Sequence, residues 1–311
     1  MPASTRSRSR RDRQRNDPEE RLRRSREAQE AAYEAAKVVL ERAAGRRDAE
    51  WRAAAEGNRR RVLLVLAAPA ILGVVVLVLG ILSPPLLIVG AVLLLAWAVL
   101  AMVIWSKAAS SLLAQLGGTP PAAASASGAL QQLGAERLAD LSEGLCAVLG
   151  LPAPALLVLP DRVPNAISIG RRHDDATLVV TTGLVDLLDR IELEAVVAHE
   201  LAHIKRLDVA SAALASTVLG RLLVAVGGER QARWLMGSDR EIRADLAGVA
   251  TTRYPPGLIA ALERIAQVGE TRPSSVAPVV LDRTASSWLA PFGEVAGDVS
   301  ASVRLDVLRE L

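Results

Sequence analysis

Residues 62–105 carry no charged side chain, and no other feature limits the fold of this chain as strongly. Val62 to Leu82 is an apolar run of 21 residues. As a helix it would be about 31 Å long, against a bilayer hydrocarbon core of about 30 Å. Leu86 to Trp105 is a second apolar run, of 20 residues, and Ser83-Pro84-Pro85 lies between the two. Proline breaks helices and favours turns there, so the pattern predicts a two-helix transmembrane hairpin. Pro69 and Gly73 are tolerated better in such a helix than in a soluble one. Trp105 ends the second run, where an indole suits the headgroup region. A buried helical pair in a soluble core is the competing explanation, and the length of the runs argues against it.

Charge divides the chain around this block. Residues 1–61 hold 18 basic and 11 acidic side chains, whereas residues 106–311 hold 19 basic and 23 acidic ones. Arg59, Arg60, Arg61 and Lys107 flank the hairpin on one side, and its turn has neither Lys nor Arg. Basic flanks stay cytoplasmic, so the expected location is the cell membrane, with two spans and both the N terminus and the long C-terminal part in the cytosol. A cleaved signal peptide does not fit, because 61 polar residues precede the first run.

The basic cytosolic arm, residues 1–61, reads as disordered through its Arg/Ser-rich start and helical from Asp17 to Arg61. Its charges read first as solvated and orienting, and second as attracted to anionic lipid headgroups. With acids interleaved and two aromatics, Tyr33 and Trp51, nucleic acid is not an expected partner. Residues 106–128 read as a short helix to Leu116 and then a flexible linker, Gly117 to Gly128. Residues 129–311 are one domain's worth of chain. Cys146 is the sole cysteine, which excludes a disulfide scaffold and a Cys-rich zinc module.

The chain has three histidines, and two of them, His199 and His203, lie in Leu193 to Arg206 (LEAVVAHELAHIKR). That segment has no Gly or Pro and reads as helix, so the two imidazoles project from one face, one turn apart. At this spacing both reach one tetrahedral Zn²⁺, with Glu200 placed to contact a metal-bound water. His173, by contrast, reads as an exposed loop residue between two strands, Asn165 to Gly170 and Thr177 to Thr182.

A catalytic zinc needs a third protein ligand. No histidine lies downstream, so that ligand must be a carboxylate. Ser238 to Gly248 is a second helical segment with Glu241 and Asp245 four residues apart on one face. The natural assignment gives Glu241 to the zinc and lets Asp245 accept the other ring N–H of a ligand imidazole. The alternative is that both acids pair with Arg240, Arg243 or Arg206, and the spacing alone leaves it open.

From Val163 to Ala250 the chain resembles the HtpX-like branch of the integral-membrane zinc metalloproteases, a family that also includes the CAAX prenyl endopeptidases. The residues that carry the resemblance are Pro164-Asn165-Ala166, Gly170, Thr182-Gly183-Leu184, the run Glu194 to His203, Asp208, Arg240-Glu241 and Ala244-Asp245. Pro256 to Ile265 also resembles the family's helix after the third ligand. The resemblance implies that Glu241 is the third ligand and that the strand opening at Asn165 and Ala166 lines the substrate cleft. It also implies an α+β, mainly α fold: a transmembrane hairpin followed by a zincin-like catalytic domain with a small β-sheet. The implied function is a membrane-anchored, zinc-dependent endopeptidase that hydrolyses peptide bonds of membrane or misfolded proteins, with Glu200 as general base. The alternative is a catalytically weak or silent membrane adaptor that keeps the fold.

Two departures from the family pattern stand out. The apolar segment Val209 to Val226 is interrupted by Arg221, and one crossing would separate Glu241 from His199, so this helix is expected not to span. Near the C terminus the family's His-Pro dipeptide is missing, and only Ser302 to Leu308 resembles the Arg-containing helix that follows it. The group stabilising the oxyanion is therefore sought among Arg304, Tyr254 and Arg243.

Overall fold

The computed structural model describes residues 46–116, 129–215, 240–269 and 301–311. The arm to residue 45, the linker 117–128 and residues 216–239, with Arg221, lie outside the described residues. By compactness the chain divides into Met1–Ala53 and Ala54–Leu311. Of the first unit only residues 46–53 are described, and they are helical.

Helix α1, Arg46–Ala67, is followed by α2, Ala70–Leu79, a 3-10 turn, Gly80–Leu82, and the 33-residue helix α3, Pro84–Leu116. The first apolar run is therefore not one straight helix. It bends by 48° at residues 68–69, where Pro69 cannot donate a backbone hydrogen bond. Near this bend the Leu66 carbonyl accepts from Trp97 Nε1 of α3 at 2.8 Å. Ser83 is extended, and Pro84 and Pro85 sit in the first turn of α3, where a missing N–H costs nothing. No break follows Trp105, so the short helix foreseen after it is the end of α3.

Helices α2 and α3 pack against each other through glycine. A Cβ on Gly90 would lie 2.5 Å from the Leu77 backbone nitrogen, so the two backbones meet there. Gly90→Val is expected to destabilise the pair by about 1–3 kcal/mol, read as a lower Tm in detergent. The outer surfaces are apolar and uncovered: Leu82 is 86% and Ile81 77% exposed. Pro84–Ser110 is long and apolar enough to cross a bilayer, and only 6% of its most apolar stretch is buried. A soluble core helix of that composition would be covered by protein, so this surface suits a membrane.

The rest of the second unit is mainly helical around a three-stranded sheet of order β1-β3-β2. Strand β1, Ala155–Leu159, runs parallel to β3, Thr177–Thr181, while β2, Ala166–Ile169, pairs with β3 antiparallel, Ile167 opposite Val179. Around the sheet lie α4, Ala129–Leu149; α5, Thr182–Leu187; α6, Arg190–Lys205; α7, Asp208–Ala215; α8, Arg240–Thr252; α9, Pro255–Gly269; and α10, Ala301–Arg309.

Helix α6 is the centre of the core, packed by β2, α4, α8 and α9. Asp189 caps it: its Oδ1 accepts from the amides of Ile191 and Glu192 at 2.9 Å, and Glu192 Oε2 accepts from the Asp189 amide at 2.9 Å. Leu193, Val196, Val197, Leu201 and Ile204 are buried along it. It ends at Arg206, and Leu207, with φ 56°, turns the chain into α7. Helix α7 packs on α3 and β2, which agrees, for its described part, with a helix lying on the domain. Ala210 and Leu214 of α7 form an apolar seam with Val62, Val65, Leu66, Ile104 and Trp105. Trp105 is thus partly covered by the domain, and Arg171 stands 5.9 Å from its ring centroid.

Candidate metal centre

His199 and His203 extend from the buried face of α6, as their spacing requires. Their Nε2 atoms are 3.2 Å apart. Helix α8 crosses this face closely, because Gly248 has no side chain: a Cβ there would sit 3.0 Å from the His199 backbone nitrogen. This approach brings in Glu241, whose Oε2 is 3.4 Å from His199 Nε2 and whose Oε1 is 3.6 Å from His203 Nε2. His199, His203 and Glu241 are 0%, 4% and 4% exposed, and together they could hold a metal ion.

Each imidazole has a carboxylate on its other nitrogen. Asp245 Oδ1 lies 2.8 Å from His199 Nδ1, with the N–H directed off the line to the oxygen. Asp208 Oδ2 is 3.2 Å from His203 Nδ1. With the acids on the Nδ1 side of each ring, the two Nε2 atoms lie next to the Glu241 carboxylate. Among the described residues, neither oxygen of Glu241 accepts a hydrogen bond of good geometry. Three electron-rich groups facing one point repel one another unless a cation lies between them.

The titration behaviour has the same origin. Burial pushes His203 down, but the charges of Glu241 and Asp208 outweigh it and hold the imidazole up at about 10. His199 is likewise raised against burial, by Asp245 and Glu241. Glu241 lies well below the usual carboxylate range: burial opposes this, but His203 and Arg240 prevail. Asp245 and Asp208 are also lowered against burial, Asp245 chiefly by Arg304 and Asp208 chiefly by His203. Without metal, a proton on His203 plays the part of the cation. Because this pKa is raised above 6.5, its contribution to stability is complete below pH 6.5 and is lost as pH rises through about 10. Metal-free protein should therefore lose Tm between these limits. Metal affinity should rise over the same range, by about tenfold per pH unit for each proton displaced, as measured by calorimetry in buffers of differing ionisation enthalpy.

Glu200 is buried beside the cluster at 1% exposure. Ser168 Oγ of β2 donates to its Oε2 at 2.7 Å, while Oε1 has no hydrogen-bond partner among the described residues. Arg304 of α10 reaches Asp245 with two bonds, Nε to Oδ2 at 2.7 Å and Nη2 to Oδ1 at 2.6 Å, and its Nη1 is 3.6 Å from Glu241 Oε2. Of the three groups considered for the oxyanion, Arg304 is therefore placed at the cluster. Tyr254 is 50% exposed in the turn between α8 and α9, and Arg243 is exposed on α8.

Asn165 and Ala166 open β2, the edge strand next to α6, and are buried. Asn165 Oδ1 accepts from the Ala166 amide at 3.0 Å, while the Asn165 carbonyl accepts from the Thr181 amide at 2.9 Å. By strand alternation the Ala166 and Ser168 backbones face away from β3. His173 is half-buried rather than exposed, because its Nε2 lies 3.2 Å from the Lys205 carbonyl at the end of α6. Sequence reasoning gave no role to Asp208 or Ser168. An Asp five residues after His203 was the available signal for the first; Ser168 had none.

Residues 132–242 match the model of peptidase family M48. The chain is 31% identical over 163 residues to a "Protease HtpX homolog" of Dictyoglomus turgidum, covering 42% of this chain and 54% of that one. It is 35% identical over 163 residues to one of Salinibacter ruber, covering 45% and 59%. Over 88 residues it is 43% identical to one of Sulfurovum sp., covering 28% and 32%. The chain thus spans little more than half the length of the first two of these curated relatives. No solved structure matches it significantly. The matched segment contains α6 and reaches Glu241, so His199, Glu200, His203 and Glu241 all lie in the part of the chain that is similar to peptidase family M48.

Proposed function

We propose that the protein is a membrane-anchored zinc endopeptidase whose metal is held by His199, His203 and Glu241. The observation that carries this reading is the convergence of two imidazole nitrogens and a carboxylate, each imidazole backed by an acid. Around a tetrahedral ion with bonds of about 2.0–2.2 Å, ligand atoms stand about 3.3–3.6 Å apart. The two Nε2 atoms, 3.2 Å apart, stand near that figure, and the carboxylate faces them with one oxygen 3.4 Å from His199 and the other 3.6 Å from His203; two nitrogens with a carboxylate suit zinc. When bound, the ion lowers the pKa of a water toward about 7 and polarises the scissile carbonyl.

The chain's own groups do the rest. Glu200 takes the proton from the attacking water and passes it to the leaving nitrogen as the C–N bond breaks. Ser168 holds one Glu200 oxygen and leaves the other for this exchange. Asp245 and Asp208 orient the imidazoles, and Arg304 fixes Asp245, so Arg304 serves the ligands at least as directly as any oxyanion. A peptide would lie along the outer edge of β2, beginning at Asn165 and Ala166 and pairing through its backbone.

In this reading α1 with α2, and α3, form two spans, with the domain on the cytosolic side where Arg59, Arg60 and Lys107 are exposed. The basic arm would add attraction to anionic headgroups. Substrates would be membrane or misfolded proteins. Purified protein in detergent should cleave casein, lose that activity with 1,10-phenanthroline, and recover it with one equivalent of zinc. Bound zinc without cleavage of any substrate would favour the silent adaptor; cleavage that persists in the metal-stripped protein would refute the metal mechanism.

A further inference from the structure

Asn58 lies in α1, four residues before the uncharged block. It is a poor residue for a helix interior, yet it is only 5% exposed. A buried amide must find partners, and these lie about 150 residues away in sequence. Its Nδ2 donates to the Arg206 carbonyl at 2.9 Å and makes a short bond to Asp208 Oδ1. Both partners are acceptors, so only the amide nitrogen can face them. Its Oδ1 accepts from Arg61 Nη1 at 3.2 Å. Asn58 thus spans the Leu207 turn between α6 and α7. The other oxygen of Asp208 faces His203 Nδ1 at 3.2 Å and accepts from Arg206 Nε at 3.1 Å.

We propose that Asn58 is a positioning residue for the metal ligand His203: by fixing Asp208, it couples the docking of the membrane-anchor helix to the tightness of the metal site. The proposal rests on the metal-site reading above. Asp208 has two oxygens to share among Asn58, Arg206 and His203, and the bond from Asn58 selects the rotamer that turns Oδ2 toward the imidazole. One turn along α1, the Val62 side chain docks on Ala210 and Leu214 by apolar contact. The same helix therefore provides both a polar link to the site and a purely structural contact for comparison.

The test uses the full chain in detergent, with zinc dissociation constants from chelator competition, the visible spectrum of the Co²⁺-substituted protein, and Tm. Asn58→Ala should weaken zinc binding about tenfold, the lower end of the effect of losing an outer partner of a metal ligand, and shift the Co²⁺ bands. Asn58→Ser, which keeps one donor, should fall between Asn58→Ala and the unsubstituted chain, and it decides the matter if Asn58→Ala does not fold. Val62→Ala should lower Tm and leave zinc affinity and the Co²⁺ spectrum unchanged. In an Asp208→Ala background, Asn58→Ala should cause no further loss, because its effect passes through that carboxylate. Unchanged zinc affinity in both Asn58 variants, or losses that simply multiply with that of Asp208→Ala, would overturn the proposal. An unsubstituted chain that binds no zinc would instead remove the metal-site reading on which it stands.

Discussion

Glu200→Gln should abolish cleavage while leaving the metal in place. Gln has nearly the shape of Glu and can still accept from Ser168 Oγ, which lies 2.7 Å from the native carboxylate. The buried side chain therefore keeps its neighbours. What it loses is the capacity to take a proton from water at neutral pH. General acid–base contributions of this kind are worth about 10²–10⁴ in rate, or roughly 3–5 kcal/mol of barrier. Glu200 lies outside the three-residue cluster, so metal content and Tm should match those of the unsubstituted protein. The measurement is casein cleavage at matched zinc occupancy. Equal rates for the two proteins would remove Glu200 from the chemistry.

Glu241→Ala should have the opposite signature, losing metal first and activity as a consequence. Two imidazoles alone leave the ion with too few protein ligands, and affinity should fall by more than the 10- to 100-fold typical of losing an outer partner. The fold should suffer as well. Glu241 Oε1 lies 3.1 Å from Arg240 Nε, and its charge helps hold His203 protonated in the metal-free protein. Removing one member of such a buried set costs about 3–5 kcal/mol, because its partners remain charged without compensation. Metal analysis and thermal melts of Glu241→Ala beside Glu241→Gln would separate the effects, since Gln keeps the volume and loses only the charge. Full zinc occupancy in both variants would exclude Glu241 as a ligand.

The parts of this site legible in the sequence were those carried by helical periodicity. His199 and His203 share a face because they are four residues apart on a helix, and Glu241 and Asp245 do so for the same reason. The pairing of β2 with β3 was legible as two short strands around a polar turn. What connects elements was not. Nothing in local pattern says that Arg304 reaches back 59 residues to Asp245, or that Asn58 reaches Asp208 from before the apolar block. Such contacts depend on how helices stack, and no period records them. The bend at Pro69 is a foreseeable exception: a membrane helix tolerates proline, but the lost backbone hydrogen bond still bends it. Strand β1 was a brief apolar run between prolines, and its parallel pairing with β3 brings together residues about twenty positions apart.

Zinc K-edge absorption of the purified chain, with metal stoichiometry from the same sample, tests the central claim most directly. The account predicts one zinc per chain, with two imidazole nitrogens at about 2.0–2.1 Å and a carboxylate oxygen at about 2.0–2.2 Å that disappears in Glu241→Ala. A chain that cleaves peptide bonds with no bound transition metal, or whose zinc keeps an identical shell without Glu241, would contradict it.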